Sequence, residues 1–319
     1  MLRIALFTVR PGNAAPFEHA LSAVPGIALT CADNVDDFRR ALADAEVAML
    51  PLYLYDPAVA AALREARQLR WIQSLSVGVD RLLTDPPAAG VIVTTAGGSM
   101  AVAISEHAIG LLLALSRRLP DLLLRQAQGR WDPSVRRDIV SLSGKVLAIV
   151  GYGAIGAEIA VRAKAFGMTV IGVRRRPEPD GIADEIAAST ELDAVLARAD
   201  AVAITAPLTD ETRGLFDARR FEAMRRGAFL LNVSRGAIVD GAAVAQALAS
   251  GQLAGAGLDV ADPEPPPPGH PLWTAPNLIL TPHVAASKSE PAVARHAAEN
   301  VRRFIAGEPL LARHDTHGA

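Results

Sequence analysis

Three ionisable side chains of complementary kinds stand just beyond three successive apolar runs in the C-terminal half of the chain. Arg235 follows "AFLLNV", Glu264 follows "AGAGLDV" and His283 follows "NLILTP". A guanidinium fork grips a carboxylate and polarises a neighbouring carbonyl. An imidazole exchanges a proton near neutral pH, and a carboxylate on its other ring nitrogen orients it and favours the charged form. Singly, each has an ordinary reading: a histidine after a strand is commonly a satisfied loop residue, and "PEP" is a turn. Together they suit proton transfer to the oxygen of a carbonyl beside an anionic group.

A second constellation lies upstream. In "KVLAIVGYGAIGAEIAVRAKAFG", Gly151, Gly153 and Gly156 follow an apolar strand and open a helical pattern, with Ala154 and Ile155 between the last two glycines. The first glycine permits a tight turn, the second lets a pyrophosphate approach the backbone, and the third lets helix and strand pack closely. The strand after it ends in Arg174, Arg175 and Arg176, and the first acids, Glu178 and Asp180, come only beyond Pro177. An acid at such a strand end accepts from a ribose 2′-hydroxyl; arginines suit a 2′-phosphate. The expectation is NADPH in preference to NADH, with NADH possible and a solvated basic turn as the alternative reading.

These residues need a scaffold of parallel strands. "RIALF", "IALTC", "VAML", "WIQSL" and "VIVTT" alternate with helical patterns, and a second series, "KVLAIV", "MTVIGV", "DAVAIT", "AFLLNV", "AGAGLDV" and "NLILTP", does the same. Such alternation predicts two doubly wound α/β units. At 319 residues the chain suits two domains, and a composition 50% apolar and 4% aromatic suits buried parallel strands. The long apolar stretch "SMAVAISEHAIGLLLALSRRLP" reads as one helix stopped by Pro120. Its Ser105, Glu106 and His107 make it too polar for a membrane span. A net charge of −2, from 32 basic and 34 acidic residues, provides no field for nucleic acid or a membrane. The single cysteine, Cys31, excludes an internal disulfide framework and fits a cytoplasmic protein. The tail "ARHDTHGA" reads as disordered.

The motifs "SVGVD", "SEHAIGLLLALSRRLP", "GKVLAIVGYGAIG", "PLTDETRGLF", "MRRGAFLLNVSRGAIVD", "GLDVADPEP" and "NLILTPHVA" follow one another across residues 74 to 286. In that order the chain resembles the D-isomer-specific 2-hydroxy acid dehydrogenases, and within them the NADPH-dependent glyoxylate and hydroxypyruvate reductases. The resemblance implies a flavodoxin-like substrate domain, 1–97 with 287–319, and a Rossmann cofactor domain, 98–286, with a cleft between. It also implies a homodimer built through an arm near 117–140. It places the catalytic Arg, Glu and His on Arg235, Glu264 and His283, and the reaction becomes reduction of a small 2-keto acid, with no metal required. Ser76, Val77 and Gly78 fall on the family's carboxylate-binding loop, where small residues let backbone N–H groups form an anion nest. Ala206, Pro207, Thr212, Val233 and Asp259 fall on cofactor contacts, although Thr212 equally suits a helix cap and Asp259 a structural acid.

The segment with Thr95, Ala96, Gly97 and Gly98 departs from the family's Asn-Thr-Pro-Gly run near the domain crossing, and "AITAPLT" lacks a polar residue often seen there. Trp131 sits on the proposed arm; Tyr53, Leu54 and Tyr55 are candidates for a cleft wall. His107 reads as a hydrogen-bonded helix residue, and His19, His270, His296, His314 and His317 show no ligand spacing. The competing expectation is a nucleotide-sensing, non-enzymatic dimer of the corepressor kind.

Overall fold

The computed structural model describes residues 1–9 and 12–314. Two compact units emerge: Met1–Met100 with the chain from Ser287, and Ala101–Ala286. The division follows Met100 rather than residue 97, because the turn Gly97–Met100 packs on the helix Glu290–Ala306 of the first unit. A Cβ on Gly97 would lie 3.3 Å from the ring of His296.

The first unit holds β1 (Leu2–Phe7), β2 (Ile27–Ala32), β3 (Val47–Leu50), β4 (Trp71–Ser74) and β5 (Ile92–Thr94). They lie in the order β2-β1-β3-β4-β5, all parallel, as in a flavodoxin-like sheet. Apolar side chains fill both faces, Phe7, Phe38 and Ile72 on one and Leu6, Trp71 and Val301 on the other. Asn34 and Asp56 start the flanking helices by accepting from Asp37 N and Val59 N. Arg313–His314 pairs antiparallel with β5, so the start of the tail is an edge strand rather than disordered. His317 lies outside the described residues. Tyr55 is a core residue whose hydroxyl donates to Asp85 O at 2.6 Å, whereas Tyr53 is exposed.

The second unit holds β6 (Val146–Val150), β7 (Thr169–Arg174), β8 (Glu185–Ala188), β9 (Ala201–Ile204), β10 (Ala228–Asn232), β11 (Leu253–Leu258) and β12 (Leu278–Leu280). Their order is β8-β7-β6-β9-β10-β11-β12, all parallel, a Rossmann sheet whose direction of growth reverses at β6. Sequence patterning yields six of the seven. β8 escapes it because "EIAA" is an edge strand with one buried residue, Ala187, and so has no continuous apolar run.

The long apolar stretch is two helices. Ala101–Ser116 ends where Arg118 turns left-handed at φ 56°, and Pro120 opens Leu119–Ala127, taking the first-turn place where its missing N–H costs nothing. On length and composition Gly97–Ser116 does qualify as a membrane span, contrary to the sequence expectation. Packing shows a core helix: Leu111 and Leu115 press onto Gly257 and Gly255 of β11.

Candidate active site

Because the seven strands are parallel, all their C-terminal ends share one edge, and the chemistry-bearing residues gather there. Beyond β6, Gly151 has φ +89°, and a Cβ on it would stand 2.2 Å from Ala206 Cα, so only glycine fits. Gly153 precedes the helix Ala154–Ala165 with no side chain capping its first N–H groups. A Cβ there would meet nothing nearer than Gly151 O at 3.9 Å, which leaves the backbone open to an anion. Gly156 is buried against Ile149. Ala154 and Ile155 form the first turn of the helix. This turn fits a pyrophosphate.

The neighbouring loops are stapled to it. Thr205 Oγ1 donates to Gly151 O at 3.0 Å, and Ser234 Oγ donates to Ala206 O. Ala206 and Val233 are buried, while Pro207 is exposed. Thr212 is no helix cap: its hydroxyl donates to Pro207 O and accepts from Thr209 N, both at 2.7 Å, and so braces the loop.

At the end of β7, Arg174 is half-buried, with Nη2 donating to Glu178 O, and Arg175 and Arg176 are exposed. Asp180 is engaged elsewhere. It accepts from Tyr152 Oη at 2.7 Å and from Ile182 N at 2.9 Å. Burial opposes its charge, but these donors prevail and hold the carboxyl below its ordinary range.

Three residues beyond β10, Arg235 is set by its neighbours. Asn232, fully buried, donates from Nδ2 to Arg235 O at 2.9 Å and accepts from Ser234 N at 3.1 Å. A Cβ on Gly236 would stand 1.9 Å from Ala261 O, so glycine lets this loop lie against the one beyond β11. Arg235 Nη1 donates to Ser234 O at 2.8 Å. From the two following strands, the structure brings Glu264 and His283 together, Oε1 to Nδ1 at 2.9 Å. Nε2 is the ring nitrogen that Glu264 does not engage.

His283 has φ 54°, a left-handed backbone unusual for a side-chain-bearing residue. Asp259, 1% exposed, surrounds it: its backbone O accepts from His283 N at 2.8 Å, and its carboxylate accepts from Val284 N and Ala285 N, each at 2.9 Å. Sequence reading had no signal for Asn232, Thr281 or Gly236, whose work is to hold backbone. In the first unit, Ser76 N donates to Ser74 Oγ and Ser76 Oγ accepts from Leu52 N, both at 3.0 Å, so Ser76 braces the loop that carries Val77 and Gly78.

Residues 109–285 match the family model "D-isomer specific 2-hydroxyacid dehydrogenase, NAD binding domain". The chain belongs to this family. It is 35% identical over 280 residues to the glycerate dehydrogenase of Methylorubrum extorquens, covering 84% of this chain and 85% of that one. A D-isomer specific 2-hydroxyacid dehydrogenase family protein from Aeromonas salmonicida superposes with a TM-score of 0.87 at 34% identity, over 99% of this chain and 100% of that one. The NADPH-dependent glyoxylate/hydroxypyruvate reductase of Sinorhizobium meliloti, solved with NADP and sulfate, gives 0.83 at 27% identity, over 99% of each chain. As a member of the 2-hydroxyacid dehydrogenases, the protein is an oxidoreductase with an NAD-binding domain, and the open glycine turn belongs to that domain.

Proposed function

We propose that the protein reduces a small 2-keto acid of the glyoxylate or hydroxypyruvate kind to the D-2-hydroxy acid, using NADPH in preference to NADH, in the cytoplasm. The observation that carries this reading is the 2.9 Å pair of His283 and Glu264 on the strand-end edge that also bears the glycine turn and Arg235. When bound, the cofactor supplies the hydride that reaches C2 of the keto acid. The chain's own work is the rest. Gly151, Gly153, Ala154, Ile155 and Gly156 hold the pyrophosphate with backbone N–H groups, and the loops of Ala206, Pro207, Thr212 and Val233 line the remainder of the dinucleotide, while the buried Asp259 acts as a structural acid. Arg235 grips the carboxylate and polarises the carbonyl. In the first unit, the loop of Ser76, Val77 and Gly78 is assigned to carboxylate binding through its backbone amides. His283, charged and held through Nδ1 by Glu264, gives its Nε2 proton to the oxygen as C2 is reduced, and takes it back in the reverse direction.

Preference for NADPH is supported by the β7 end, where three arginines are offered and Asp180 is turned onto Tyr152. The substrate domain is assigned to the first unit and the cofactor domain to the second. A homodimer is supported by the helix Leu119–Ala127, which has no buried residue and leaves Leu119, Leu123 and Leu124 exposed, and by Trp131 in the segment after it, 98% exposed. Leu123→Asp with Leu124→Asp should convert a dimer to a monomer in analytical ultracentrifugation; a wild-type monomer would remove the assignment.

The deciding assay follows NADPH oxidation with glyoxylate, hydroxypyruvate and a bulkier keto acid, then repeats it with NADH. Turnover of a small keto acid with the larger kcat/KM for NADPH is expected. No turnover across the panel would defeat the enzymatic reading, and equal use of both cofactors would defeat the preference.

A further inference from the structure

The buried carboxylate of Asp259 has a partner on an element that the proposed reaction leaves unused. Thr281 Oγ1 donates to Asp259 Oδ1 at 2.6 Å, and His107 Nε2, from the middle of the helix Ala101–Ser116, lies 3.0 Å from the same hydroxyl and 3.4 Å from Oδ1. The Thr281 proton goes to the carboxylate. Both atoms that face His107 Nε2 are therefore acceptors, so this nitrogen carries the N–H. His107 is thus an ionisable side chain within 4.0 Å of this carboxylate. On its other side the carboxylate accepts the amides of Val284 and Ala285, which immediately follow His283 at φ 54°.

We infer that His107, acting through Thr281 and Asp259, is a positioning residue that fixes the strained backbone of His283 and so aims the His283–Glu264 pair. The inference deepens the proposed function and rests on His283 being its proton donor. A residue in a left-handed conformation persists where its surroundings over-determine it, and here the surroundings are three donors on one buried carboxylate whose direction His107 and Thr281 set. Neither residue is given a contact with the substrate or cofactor.

The test compares His107→Phe, His107→Gln, Thr281→Val and Thr281→Ser in the full-length protein. It reads kcat, the NADPH dissociation constant by fluorescence, and hydrogen exchange at the Val284 and Ala285 amides. Thr281→Val, nearly isosteric, should lower kcat by about ten- to a hundredfold with NADPH binding changed less than about threefold, and should speed exchange at both amides. His107→Phe should do the same. Thr281→Ser and His107→Gln keep a donor and should restore most of kcat. Unchanged exchange and kcat in Thr281→Val overturn the inference, and that variant decides alone if His107→Phe does not fold. Faster exchange with unchanged kcat also overturns it, leaving a structural role only. If the wild type reduces no keto acid, the proposed function fails while amide exchange still reports whether His107 and Thr281 hold the segment.

Discussion

The C-terminal edge of the seven-stranded sheet carries two charged clusters built on opposite terms. Beyond β7 the arginines are held loosely: Arg175 and Arg176 are exposed, and Arg174 makes a bond within its own turn. Beyond β11 and β12 the Glu264–His283 pair is itself solvent-accessible, yet it stands on a buried lattice in which Asp259 ties His283, Val284, Ala285 and Thr281 together. The difference suits the role proposed for each. Recognition of a phosphate needs charge within reach and tolerates side-chain motion, whereas proton transfer needs a donor nitrogen placed within a few tenths of an ångström. Substitutions at the β7 end should therefore act on binding, and those at the β11–β12 end on turnover.

The sharpest way to break this contrast is at the second cluster. Glu264→Gln should lower kcat by about a hundredfold, since it removes the carboxylate that orients the imidazole through Nδ1. A kcat within about threefold of the wild type would mean that the 2.9 Å contact has no part in turnover. A smaller effect is expected at the first cluster. Arg174→Ala with Arg175→Ala should raise the KM for NADPH by about ten- to thirtyfold, the worth of one or two charge-assisted hydrogen bonds, and leave the KM for NADH and both kcat values within about threefold. Equal losses with the two cofactors would make the cluster a solvated turn.

The same division governs what the sequence makes legible. The glycine turn can be read directly because Gly151, left-handed and pressed on Ala206, answers a steric demand that no other residue meets, and Gly156 packs tightly on Ile149 at the spacing the motif requires. The charged residues can be read because their types and order along the strands are plain. What holds them cannot. Thr281 and His107 are 174 residues apart, and Asn232 supports Arg235 through backbone atoms that leave no pattern. Edge strands are lost for a related reason: β8 and Arg313–His314 gain their order from pairing with β7 and β5 rather than from an apolar period of their own. Pro120 shows the converse, a strong local signal with two meanings, since it ends one helix pattern by starting the next.

The proposed reduction depends on His283 as the group that moves the proton. Its most direct test measures kcat with glyoxylate or hydroxypyruvate, together with NADPH affinity by fluorescence, for the wild type and His283→Asn. A kcat lowered by about 10² to 10⁴ with NADPH affinity changed less than about threefold is the expected result; a variant that binds NADPH normally and keeps kcat within a factor of about three would contradict it.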